Sequence, residues 1–181
     1  MIKFIQHKSP KYPPRTYENA SADATIAFAF DFNTPGELLT RDAVVTQGKL
    51  YIPVDPTVEP LNIRKIILTA EIFNHKHVST LNIAGNGLYT TIKHGYTQEK
   101  CDTIIEIYLS SLFDSLKQLP ALIRSGGQSG FDEAGLKAAV KLGIPALCVC
   151  PQGWKFMDAN GTTICNEQLF KNRFDQATIL Q

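Results

Sequence analysis

The sequence predicts an α/β fold, doubly wound, with a mainly parallel sheet and helices on both faces. Two observations carry this. Short, nearly continuous apolar runs of strand length recur along the chain, and amphipathic stretches of helical period lie between them. At 181 residues and 44% hydrophobic content the chain suffices for one substantial core, so a single domain over 1–181 is expected.

The predicted strands are 23–30 (DATIAFAF), 49–55 (KLYIPVD), 79–85 (STLNIAG), 122–125 (LIRS) and 146–151 (ALCVCP). The predicted helices are 37–47, 62–75, 98–117 and 132–142. The third places Ile104, Ile105, Tyr108, Leu109, Leu112, Phe113 and Leu116 on one stripe. Residues 1–14, rich in proline from Ser9 to Pro14, are expected as an extended N-terminal arm.

Composition narrows the function. The net charge of +1, from 18 basic and 17 acidic residues, does not provide the basic face of a nucleic-acid binder. No run is apolar enough for a signal-peptide core or a membrane span, so a cytoplasmic protein with neither nucleic acid nor membrane as partner is expected. The four cysteines show no CxxC or zinc spacing and are read as reduced thiols. His75, His77 and His94 have no metal-ligand spacing either.

In an open parallel sheet, ligands gather where strands end and helices begin. Three such junctions have suitable chemistry. The first is SGGQSG, Ser125, Gly126, Gly127, Gln128, Ser129 and Gly130, ahead of a helix opened by Asp132 and Glu133. Its glycines permit close backbone approach, and the free amides of a first helical turn favour an anion such as phosphate. The second, GNGLYT, contributes Gly85, Asn86 and Gly87. In the third, NTPGELLT, Thr34 is a plausible N-cap, Pro35 suits the first turn, Gly36 keeps the backbone open, and Glu37 completes a capping-box spacing. Neither GxGxxG nor GxxxxGK[ST] is present, so a standard dinucleotide fold or P-loop fails on spacing.

SGGQSGFDEAGLKAAVKLGIP followed by CPQGW, together with YPPRTYEN, DATI, GELLT, GKLYIPVD and LNIAG, resembles the SLOG superfamily of Rossmann-like nucleotide-binding domains, and within it the molybdenum carrier family. The segments stand in another order here, with the SGGQSG segment last, as in a circular permutation. That arrangement predicts that the chain after Phe174 ends near the N-terminal arm. The resemblance implies a small-molecule ligand of nucleotide type, related to ADP-ribose or NAD, and a homo-oligomer as a further possibility. The cofactor stays unknown, since no residue here selects a metal or a pterin.

The resemblance also makes Glu37 a candidate catalytic acid, with Asp132 as second carboxylate, for an N-glycosidase or phosphoribohydrolase acting on a nucleotide. The capping box is the competing role of Glu37. Arg15 and Thr16 are candidates for phosphate or ribose contact, and Arg124 for phosphate neutralisation beside the glycine turn. Arg15 paired with Glu18, and Arg124 with Asp132 or Glu133, are the plain alternatives. Glu133 reads as a hydroxyl or base contact, or simply as a helix-opening acid. Asn19 and Asp23 are candidates to support the loops at the sheet end. Trp154 either stacks on a base or covers the sheet edge. A non-catalytic scaffold, whose glycines serve packing alone, is the remaining alternative.

Overall fold

The computed structural model describes residues 1–58 and 62–174. Six parallel strands form one sheet: β1 (Ile2–Gln6), β2 (Ala24–Phe28), β3 (Leu50–Val54), β4 (Thr80–Gly85), β5 (Leu122–Ser125) and β6 (Ala146–Cys150). Their spatial order is β1-β6-β5-β4-β2-β3. The helices between them are α1 (Tyr12–Ala20), α2 (Pro35–Thr46), α3 (Ile63–Lys76), α4 (Leu88–Lys93), α5 (Gln98–Phe113) and α6 (Phe131–Lys141). A small antiparallel hairpin, β7 (Lys155–Met157) and β8 (Thr163–Cys165), and α7 (Glu167–Asn172) follow β6.

The fold is the predicted α/β class, with helices on both sides of the sheet. α1 packs with α2 through a small cluster of Ala20, Ala43 and Val44. α3, α5 and α6 cover the other side, where Phe28 stacks on Phe131 at 5.5 Å and meets Tyr108 edge-on at 5.2 Å. All five residues of β2 are buried, as an inner strand covered on both faces requires.

The expected N-terminal arm is corrected by the structure. Ile2–Gln6 pairs in parallel with β6 as an edge strand, and Tyr12–Pro14 form the first turn of α1, where prolines cost no hydrogen bond. The two strand-facing residues Ile2 and Phe4 pack on the core while their neighbours stay exposed. Residues beyond Phe174 lie outside the described part. Phe174 itself sits against the first strand, its ring 5.5 Å from that of Phe4. Trp154 covers the same edge, 6.3 Å from Phe4 and 5.5 Å from Phe170.

The four cysteines are unpaired, three buried and Cys165 exposed. Among the described residues no helix is long and apolar enough to cross a membrane.

Candidate functional site

The strand order reverses at β2, which has β3 on one side and β4 on the other. A crevice therefore opens at the carboxyl ends of β2 and β4. The three junctions singled out in the sequence all leave the sheet at this end, and a cavity of about 480 Å³ lies among them. Thr34, Gly36 and Glu37 line it from the β2–α2 turn, Gly85, Asn86 and Gly87 from the β4–α4 turn, and Gln128, Ser129 and Asp132 from the β5–α6 turn.

Asn86 ties these turns together. Its backbone amide donates to Phe28 O (3.0 Å) and its own carbonyl accepts from Phe131 N (3.3 Å). Its side-chain Oδ1 accepts from Phe30 N (2.9 Å), and its Nδ2 donates to Glu37 Oε1 (3.2 Å). One buried side chain thereby joins the ends of β2 and β4 to the first turns of α2 and α6.

Glu37 is 4% exposed. Thr34 caps α2, its Oγ1 accepting from Glu37 N at 3.4 Å, but the carboxyl does not complete the box; it turns to Asn86 instead. Its Oε2 is buried with no hydrogen-bond partner. Burial, reinforced by the nearby Asp132, pushes the Glu37 carboxyl up to about 8, with the Asn86 bond opposing. The group therefore keeps its proton at neutral pH.

Arg15, 3% exposed, reaches across from α1 and donates from Nη1 to Gly126 O (2.8 Å). The guanidinium also lies over the Tyr12 ring at 4.9 Å. A Cβ on Gly126 would fall 2.3 Å from Arg15 Nη1 and 2.6 Å from Asp132 Oδ2, so only glycine leaves room there for both the cation and the carboxyl. Burial pushes the Asp132 carboxyl up to about 6, opposed by Arg15 and by the amides of Gln128 and Gly85.

The glycine turn itself is largely committed to the protein. Gly130 N donates to Gln98 Oε1 (2.6 Å), Gly126 O accepts from Arg15, and Gly127 O accepts from Arg173 Nη2 (2.8 Å). A Cβ on Gly127 would lie 2.4 Å from Cys148 Sγ, and one on Gly130 2.5 Å from Asn86 O. Ser125, Gly127 and Gly130 are buried and do not line the cavity.

Other predicted site residues lie elsewhere. Arg124 does not face the glycine turn: its Nη1 donates to Ser21 Oγ (3.1 Å) and its Nη2 lies 3.9 Å from Glu18, because alternate residues of a strand point to opposite faces. Glu133 is buried between Lys137 Nζ and Arg173 Nη1, each at 2.6 Å, in a structural network that extends to Asp102. Asp23 sits at the amino end of β2, remote from the crevice, accepting from Thr80 N and Oγ1, each at 2.9 Å. Thr16 and Asn19 line a second, much smaller cavity behind Arg15, with Asn82 and Gly126 on its other walls.

Sequence reading missed two parts of the site. Tyr12 and Lys11 stand at the start of α1, and Tyr12 precedes Arg15 by three residues, the spacing that puts both on one helical face. The β7–β8 hairpin forms a wall with Lys155, Phe156, Met157 and Thr163. Gln128 Nε2 donates to Lys155 O (2.9 Å) and Ser129 Oγ to Met157 O, which fastens the wall to the glycine turn. The signal for the hairpin was Asn160–Gly161 between two three-residue apolar alternations.

Compared with models of protein families and with curated proteins, the chain matches none. Among the described residues no group of three or more His, Cys, Asp or Glu side chains is placed to hold a metal ion.

Proposed function

We propose that the cavity binds a nucleotide or nucleotide-derived ligand of the ADP-ribose or NAD kind. The observation that carries this reading is the convergence of three strand-to-helix turns on one cavity of about 480 Å³, within the usual size of a small-molecule site, at the reversal of strand order. The polar equipment fits: a buried guanidinium at Arg15, a buried carboxyl group at Glu37 and a partly buried one at Asp132, and hydroxyls at Thr34, Thr90 and Thr163. The resemblance to SLOG domains supports the same ligand class. Phe174 against Phe4 agrees with the permuted order of segments, since it brings the end of the described chain to its start.

Thermal unfolding with AMP, ADP-ribose and NAD tests the proposal. A ligand at 100 times its dissociation constant stabilises the fold by about 2.7 kcal/mol, which is readily seen. No shift with any of the three would leave the scaffold alternative standing.

One observation favours hydrolysis of the N-glycosidic bond as a second reading. Glu37, held protonated at neutral pH, is equipped to give its proton to a departing base, while Asp132, mostly ionised there, is equipped to orient a water. Chromatography of nucleotide incubations for free base distinguishes catalysis from binding. Release that Glu37→Gln abolishes supports the hydrolase; binding without release excludes it for those substrates.

A further inference from the structure

We infer that the ligand lies with its sugar hydroxyls at the floor of the cavity and its phosphate at the open rim, between Lys11 and Lys155, and not on the glycine turn. The inference rests on the nucleotide reading above and fixes how that ligand is oriented.

The β5–α6 turn carries its own anion. The Asp132 side chain stands at the second position of α6, directed to the Gln128 amide, in the place where a helix-bound phosphate would sit. Gly130 N, a neighbouring donor, is already taken by Gln98. A phosphate there would meet a carboxyl group rather than free amides.

The floor is also acidic. Glu37 and Asp132 line it from two of the turns, the Asp132 charge adds to burial in raising the Glu37 pKa, and Glu37 Oε2 has no partner. Asn86 holds Oε1, so the proton of the neutral Glu37 stands on Oε2 as a buried donor left unpaired, which is costly, and the floor is complete only when a ligand brings an acceptor to it. A sugar hydroxyl accepts from Glu37 and has a proton of its own to give Asp132, whereas a phosphate dianion would set its charge against that of Asp132 with no proton to offer.

Apart from Arg15, which is spent on Asp132 and Gly126, the cations lie at the other end. Lys11 and Lys155 line the cavity from α1 and from β7, both are exposed, and among the described residues neither has a carboxylate partner. Arg15 is engaged with Gly126 O beneath them. The cavity is therefore graded from a neutral-to-acidic floor to a basic mouth. Because the phosphate stands at the mouth, whatever is esterified to it extends into solvent, and the site takes nucleoside 5′-monophosphates and their phosphodiesters alike.

Isothermal titration of the full chain with adenosine, AMP, NAD and 2′,3′-O-isopropylidene-AMP tests this, in the wild type and in Lys11→Met/Lys155→Met. Two exposed charge contacts correspond to about a tenfold loss of AMP affinity in the double variant, with adenosine unchanged within about twofold. AMP and NAD bind the wild type within a few-fold of each other, and the sugar-blocked nucleotide does not bind. Equal AMP affinity in wild type and double variant, or binding of the blocked sugar, overturns the orientation while the nucleotide reading survives. Failure of all the ligands to bind the wild type overturns both. Circular dichroism confirms that the double variant, altered only at exposed side chains, is folded.

Discussion

Arg15 and Gly126, 111 residues apart in sequence, are joined by a 2.8 Å hydrogen bond from the guanidinium Nη1 to the glycine carbonyl, and this contact fixes the first helix to the last ligand-side turn. The same guanidinium opposes the rise in the Asp132 pKa, so it acts as that carboxyl's buried counter-charge.

Arg15→Met is accordingly expected to cost about 3 kcal/mol or more near pH 8, in urea unfolding. The loss should be smaller near pH 4.5. Without Arg15 the folded-state pKa of Asp132 climbs further above its unfolded value, so stability drains away as the pH rises through that range and is untouched where Asp132 is protonated in both states. A pH-independent loss would show that Arg15 matters only through its bond to Gly126.

Gly85→Ala is expected to cost about 3 kcal/mol, the upper end for an inserted methyl group. Its Cβ would lie 2.2 Å from Phe28 O and 3.0 Å from the Phe131 Cβ, with backbone on one side and a fully buried ring on the other. Gly36→Ala meets nothing within 4 Å and should change stability by less than about 0.5 kcal/mol. Denaturant midpoints of the two variants make the comparison directly.

Much of this was legible in the letters, for identifiable reasons. The buried inner strands announced themselves because both faces are apolar: β2, β4 and β6 fell within the runs 23–30, 79–85 and 146–151. β1 did not, since an edge strand needs only one apolar face, and IKFIQ beside prolines reads as an arm. The junctions at Thr34, Gly85 and Ser125 were visible because turn chemistry is local. What those glycines are for was not. Gly126 makes room for Arg15 and Asp132, and Gly135 for Ile83, and such close approaches depend on partners distant in sequence. Glu37 shows the same limit: its spacing from Thr34 states a capping box, yet its carboxyl is claimed by Asn86, 49 residues away.

Glu133 and Arg173 should behave as a structural pair. Their 2.6 Å contact holds α7 to α6, and Arg173 also donates to Gly127 O while lying 4.4 Å from the Phe170 ring. Glu133→Ala leaves the arginine half-buried and unpaired and is expected to cost about 3 kcal/mol. In a double-mutant cycle with Arg173→Ala the coupling should exceed about 1 kcal/mol. A negligible coupling energy would mean that the aromatic packing of Arg173, and not the ion pair, holds the last helix.

Glu37 gives the molecule a pH dependence of opposite sense to that of an ordinary surface carboxylate. Its folded pKa of about 8 stands above the unfolded value of 4.5, because burial and then Asp132 disfavour the charged form. Below pH 4.5 the group is protonated folded or unfolded and contributes no pH dependence. Between about 4.5 and 8 the unfolded chain gives up the proton while the folded chain keeps it, so stability falls as pH rises, by several kcal/mol in all, and levels off above 8. Glu37→Gln presents an uncharged amide at every pH and escapes this loss. It should therefore be more stable than the wild type at pH 8.5, with an advantage that shrinks steadily on acidification and has gone by about pH 4.5. Chemical denaturation of both proteins across this range measures the difference. An advantage that stays constant with pH would show that Glu37 is already ionised in the folded protein, and would remove the proton donor on which the hydrolase reading depends.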